Sequence, residues 1–194
     1  MKSGISFKAV QIDDAALILS WRQDKDVSKY MFSDVDDMNI DRQQAWIDSK
    51  NEDVTYQHYI MRYDEEPFGY ISFNQIDWSN KHCSSGSYIV SAHDRRRFGG
   101  LLHNYFSDYI FYGLGMNKSV VEILQGNDAV IAIQKRLKLR HVGVFKDHVI
   151  KNGKFYDVEL FELLEADYRT HPRLQSIEKS LAAYDYERND YDNT

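Results

Sequence analysis

The sequence predicts an α+β fold with a central mixed, mostly antiparallel sheet flanked by helices and an extra C-terminal helix. Three observations predict it. Apolar runs of strand length alternate with segments of helical spacing, in the order strand, two helices, three strands, helix, strand, helix, two strands. Three strand-length runs follow one another, the first two joined by the turn-rich link Asp64-Glu65-Glu66-Pro67, which suggests an antiparallel meander. The last two strands flank Lys151-Asn152-Gly153-Lys154, and Asn-Gly is the strongest short hairpin signal.

The first strand is Ser6 to Gln11. Asp13 is expected to cap a helix that buries Ala16, Leu17, Leu19 and Trp21, and Asn39 to cap a helix containing Ile40, Trp46 and Ile47. Tyr56 to Tyr63, Phe68 to Ile76 and Gly86 to Val90 form the meander, with Asp64-Glu65-Glu66-Pro67 as its first turn. Leu101, Leu102, Tyr105, Phe106, Tyr109 and Ile110 recur on one helical face, ended by Gly113 and Gly115. Val120 to Leu124 is a short buried strand, and Val130, Ile133 and Leu137 mark a further helix. His141 to Ile150 and Phe155 to Leu164 make the hairpin. Glu165 onward is helix-prone to about Glu187, with Leu174, Ile177, Leu181 and Tyr184 at helical spacing.

Composition narrows the function. A chain of 194 residues with 43% hydrophobic residues can bury one sizeable core. A net charge of -6 gives no global attraction to nucleic acid or to an anionic membrane, so neither is an expected partner. The single cysteine, Cys83, excludes an internal disulfide. No apolar stretch is long enough to span a bilayer, and the N-terminus lacks the apolar core of a secretory signal. A soluble cytoplasmic protein is the expectation. The seven histidines have no metal-ligand spacing, so no metal is expected.

Against the acidic background stands Arg95-Arg96-Arg97-Phe98-Gly99-Gly100-Leu101, directly before an amphipathic segment. Amides at a helix start lack intrahelical acceptors, glycine admits close approach, and arginine offers bidentate contacts. The junction is therefore suited to an anion such as a pyrophosphate; the alternative is a solvated basic turn. Glu122 is the other conspicuous residue, a carboxylate inside the apolar run Val120-Val121-Glu122-Ile123-Leu124. Such a group is costly there unless it is paired, hydrated or useful, and alternation could also turn it to solvent.

The chain resembles the GNAT superfamily of acyl-CoA-dependent N-acyltransferases. Arg96-Arg97-Phe98-Gly99-Gly100-Leu101 is similar to the family's Gln/Arg-x-x-Gly-x-Gly/Ala loop, with Leu101 where a small residue is usual. Trp21 to Phe32 resembles the Trp-Arg-Asn…Val-Arg-x-Trp/Tyr-Met stretch of one branch, and Phe145 to Val158 that branch's closing hairpin. The branch holds the nucleotide-sugar N-acetyltransferase of pseudaminic acid biosynthesis and enzymes that acetylate ribosomal protein N-termini.

The resemblance implies a GNAT domain over residues 1–166, and 167–194 as a helical extension with a polar tail. It implies acetyl-CoA as cofactor, held by Arg95, Arg96, Arg97, Phe98, Gly99, Gly100 and Leu101, with Asn127 and Gln134 along its arm. It makes Glu122 the base acting through water. Trp21, Arg22, Tyr30, Phe32 and Trp46 become contacts to a nucleotide-linked amino sugar. A homodimer is allowed by analogy. Gln134 stands where many members carry a proton-donating tyrosine, and Lys138 replaces a usual glycine. An N-terminal peptide acetyltransferase and a non-catalytic coenzyme A-binding protein therefore stay open as alternatives.

Overall fold

The computed structural model describes residues 4–33 and 37–185. Strand β1 (Ile5–Ala9) is followed by a 3-10 turn (Ile12–Asp14), α1 (Ala15–Gln23), α2 (Lys25–Ser28) and α3 (Ile40–Asn51). The meander is β2 (Gln57–Tyr63), β3 (Glu66–Asp77) and β4 (His82–Ile89). Then come α4 (Ala92–Phe98) and α5 (Leu102–Asp108), the latter running into a π turn (Tyr109–Gly113). Strand β5 (Lys118–Leu124), α6 (Asp128–Arg136), β6 (Arg140–Lys151) and β7 (Lys154–Leu164) complete the sheet's main body. Short elements close the described chain: α7 (Glu165–Tyr168), α8 (Ile177–Leu181) and β8 (Tyr184–Asp185).

The eight strands form one sheet in the order β6-β7-β5-β4-β3-β2-β1-β8. All neighbours are antiparallel except β4 with β5 and β1 with β8. The β4–β5 pair is short: His82, Cys83 and Ser84 pair with Lys118, Ser119 and Val120. Beyond Ser84 the strands part, while β4 stays bonded to β3 and β5 to β7. The sheet therefore has a gap in its middle, with one unpaired strand edge on each side.

Apolar residues fill both faces. On one, Phe7, Tyr59, Phe73, Leu102, Tyr105, Tyr109 and Phe161 pack beneath α5. On the other, Val10, Ala15, Ile18, Trp21, Ile47, Ile60 and Tyr70 pack beneath α1 and α3. The Asn-Gly hairpin forms as expected, with Asn152 and Gly153 at positive φ (48° and 71°). Asn39 caps α3 through Oδ1, which accepts from the Arg42 amide at 2.9 Å. Asp13 does not cap: Asp14 takes the neighbouring role, its carboxylate accepting from the Gln11 amide at 2.9 Å.

Two further expectations need correction. The three arginines do not form a loop before a helix. They occupy the last turn of α4, a helix started by Ser91, whose Oγ accepts from the Asp94 amide. The tail is not one helix to residue 187. Pro172 interrupts it, since proline cannot donate to a helix ladder, and only Glu165–Tyr168 and Ile177–Leu181 are helical among the described residues. Tyr184 instead enters a strand beside β1. Its ring stacks on Phe7 at 4.1 Å and on Tyr109 at 4.0 Å. Arg173 and the Tyr168 hydroxyl both reach buried Asp108, at 2.5 and 3.0 Å, fastening the segment to α5.

Candidate functional site

The gap between β4 and β5 opens into a cavity of about 980 Å³. It is bounded by α4 and α5 on one flank, α6 at its mouth, and α1 with the segment after α2 on the other flank. Of the residues singled out from sequence, the cavity gathers Arg22, Tyr30, Phe32, Trp46, Arg95, Arg96, Gly99, Glu122, Asn127 and Gln134 in its lining. Trp21, Arg97, Phe98, Gly100 and Leu101 lie elsewhere.

Packing explains that division. Phe98 is 4% exposed and lies against Phe68, ring centroids 4.7 Å apart. The Arg97 guanidinium stacks over Tyr63 at 4.2 Å. Leu101 packs on the core, and Trp21 belongs to the cluster under α1. Three successive helical arginines point in directions about 100° apart, so they cannot all face one ligand. Arg95 donates to the carbonyls of Ile89 and Val90 at 2.8 and 3.2 Å, bracing the free end of β4.

The open anion loop expected here is closed by its own bonds. The amides of Arg95, Gly99 and Leu101 donate to Ser91, Arg95 and Phe98 carbonyls at 3.0, 3.1 and 2.9 Å. Gly99 is needed for closeness: a Cβ there would sit 2.7 Å from the Arg95 carbonyl oxygen. Helix α5 begins at Leu102 with no side-chain cap, so its first amides remain available. The donors on this flank are therefore those amides and the guanidinium groups of Arg95 and Arg96.

Glu122 is half-buried in β5 and lines the cavity. No hydrogen bond or ion pair holds its carboxylate among the described residues. Its neighbours Val121 and Ile123 turn to the α5 core, while Leu124 joins Val149 and Val158 on the opposite face. Strand alternation places Glu122 on the same face as Leu124. Cys83 is fully buried, and desolvation pushes its thiol up to about 12. No thiolate is available for a covalent acyl-enzyme.

The flank under α1 and α3 is rich in buried polar groups that the sequence did not flag. Tyr56, Tyr70 and Tyr88 line the cavity with Arg22 and Trp46. Tyr70 and Tyr88 are direct cross-strand partners and stack at 5.3 Å. His58 bonds the Tyr70 hydroxyl at 3.0 Å. The Tyr88 hydroxyl and Gln43 Nε2 are buried without a protein partner. Arg22 donates to Ser33 Oγ at 2.9 Å and reaches Gln43 Oε1 at 3.5 Å. No signal in the sequence joins His58, Tyr70 and Tyr88 to Arg22 and Trp46, because the β2–β3–β4 register and the packing of α1 and α3 on it bring them together. Among the described residues no group of three potential metal ligands forms.

Comparison with known proteins identifies the architecture. A family model described as Acetyltransferase (GNAT) domain matches residues 5–140, and the chain belongs to that family. An uncharacterized N-acetyltransferase, p20, of Bacillus licheniformis is 24% identical over 168 residues, covering 84% of this chain and 94% of that protein. The spermidine N-acetyltransferase of Vibrio cholerae, solved with CoA and spermine, has a TM-score of 0.79 at 16% identity, covering 87% of this chain and all of that one. A dodecameric structure of the same enzyme gives 0.73 at 17% identity, covering 88% and 100%. A probable acetyltransferase gives 0.74 at 19% identity, covering 86% and 96%.

Proposed function

We propose, on the premise of membership in the GNAT family, that this chain transfers the acetyl group of acetyl-CoA directly to the amine of a nucleotide-linked amino sugar. The observation that carries this reading is a single cavity in which a cation-bearing flank and an aromatic, donor-rich flank meet across Glu122. When bound, acetyl-CoA supplies the activated thioester.

The residues present suit that cofactor. The unpaired edge of β4 over Ser85–Ile89 offers backbone donors and acceptors to an amide-bearing arm laid along it, as strand addition does. Arg95, Arg96 and the first amides of α5 suit a diphosphate. Asn127 and Gln134 line the exit beside α6. Gln134 can give a hydrogen bond to a departing sulfur but is no acid at neutral pH, so solvent provides that proton. Glu122 takes the proton of the incoming ammonium, through water, so that the amine can attack.

The charge of the described lining supports a nucleotide sugar over a polyamine. A polyamine, such as the spermine held by the Vibrio cholerae enzyme, carries several ammonium groups and needs carboxylates to pair with them. Among the described lining residues only Asp26 and Glu122 are acidic, and Asp26 lies 3.7 Å from Lys29. Arg22 has no carboxylate partner among them and stands beside Trp46, 5.9 Å from its ring. A cation next to aromatic faces suits a nucleotide diphosphate.

The test is turnover with acetyl-CoA and two amines, a UDP-linked 4-amino-dideoxy sugar and spermidine. Transfer to the first is expected, and transfer only to spermidine would reject the substrate class. Glu122→Gln should lower kcat by about 10²-fold with little change in either KM, the deficit shrinking at high pH where the amine is already neutral. A deficit equal at all pH values would remove Glu122 from proton transfer.

A further inference from the structure

The buried polar groups on the α1–α3 flank form a chain whose direction is fixed at its far end. The carbonyl of Val10 can only accept, and it takes Asn51 Nδ2 at 3.4 Å. That turns Asn51 Oδ1 toward His58 Nε2, 2.9 Å away. Nε2 must then carry the imidazole proton, because an amide oxygen cannot donate. Burial holds the His58 pKa down to about 4, so the ring is neutral at pH 7 and its Nδ1 is bare. Nδ1 accepts from the Tyr70 hydroxyl at 3.0 Å, which uses Tyr70's single proton. The Tyr56 hydroxyl, 3.2 Å from that of Tyr70, is left as the donor of the next bond. Tyr56 has then spent its own proton and offers the cavity lone pairs alone.

We propose that His58 is a positioning residue that fixes Tyr56 as a hydrogen-bond acceptor at the end of the cavity, so that the amine substrate must present an N–H or O–H there. This rests on reading that end as the amine-substrate site. Beside Tyr56 the cavity lining holds the Arg22 guanidinium, which can only donate, and the Tyr88 hydroxyl, buried without a protein partner. The complement is a molecule rich in acceptor oxygens with one donor group set among them. An imide-bearing base or a sugar hydroxyl beside phosphate oxygens fits it. A protonated polyamine, with no acceptor atom, gives the Arg22 guanidinium nothing to bond and sets like charge against it.

Nitrogen-15 NMR of the full, ligand-free chain at pH 7 reads the tautomer of His58 directly. A protonated Nε2 with bare Nδ1 is expected; a proton on Nδ1, or on both nitrogens, overturns the proposal. Kinetics with acetyl-CoA and the UDP-linked 4-amino-dideoxy sugar form the second arm. His58→Leu frees the tyrosine protons and should raise the sugar KM about tenfold, leaving kcat and the acetyl-CoA KM within about twofold. Tyr56→Phe should match it. His58→Gln can accept from Tyr70 and donate to Asn51, so it should restore the sugar KM to within about twofold of the starting protein. A Gln variant as impaired as the Leu variant, or an equal rise in the acetyl-CoA KM, overturns the proposal. If the unaltered protein transfers nothing to this sugar, the substrate reading of the preceding subsection fails, and the NMR arm still decides the role of His58.

Discussion

On the α5 side of the gap, positive charge sits along a short surface helix; on the α1–α3 side, polar groups are buried and chained to one another. The first flank is conspicuous in the sequence, three arginines followed by two glycines. Yet only Arg95, Arg96 and Gly99 of that run reach the cavity. On the second flank the sequence marks Arg22, Tyr30, Phe32 and Trp46, but the buried network of Asn51, His58, Tyr70 and Tyr88 has no local signature, and its residues come from α3, β2, β3 and β4. A charged run announces itself but is dispersed by helical geometry. A buried network is silent in sequence and is assembled by strand register. The contrast warns against reading contiguity in sequence as contiguity in a site.

The sharpest way to break this comparison is at Phe98. If the basic run is half structural, Phe98→Ala should destabilise the fold by about 3–5 kcal/mol, as truncation of a buried aromatic does. Urea unfolding measures it, and a change below about 1 kcal/mol would return Phe98 to the surface of a ligand site. Acid tests both flanks at once. His58, and His103 on α5, are held at about 4, chiefly by burial. Unfolded, they titrate near 6.5, so the folded chain binds fewer protons between those values. Their contribution is complete above about 6.5 and is lost as pH falls toward 4, by about 2–3 kcal/mol for each. Thermal melts across that window should decline, and a His58→Gln, His103→Gln double variant should flatten them.

The smallest effect separates neighbouring arginines. Arg96→Ala should weaken acetyl-CoA binding by about 1–2 kcal/mol. Arg97→Ala, which loses its stacking on Tyr63 and Phe98, should leave binding unchanged and cost about 0.5–1 kcal/mol of stability. Calorimetry that ranks them the other way would reverse the register assigned to α4.

Much of the fold was legible because its signals are local. The Asn152-Gly153 turn, the Asn39 cap and the apolar periodicity of α5 each depend on residues within a few positions. Glu122 was legible for the same reason, as one carboxylate in an apolar strand. The helical state of the arginine run was not, since it depends on the Ser91 cap and on Phe98 finding Phe68 across the fold. His58 was legible only as a scattered histidine. Its significance comes from Val10, Asn51 and Tyr70, which meet it from other elements.

The two-residue strand at Tyr184–Asp185 has a bearing on assembly. It covers part of one rim of the sheet, setting Tyr184 beside Phe7 and Asp185 beside Lys8. The opposite rim, β6, is long and carries exposed Val142, Phe145 and Ile150. Growth by strand addition needs two open rims on every molecule. Among the described residues the β1 rim is partly covered by the chain's own backbone, so β6 offers the longer run of peptide groups to a strand from another molecule.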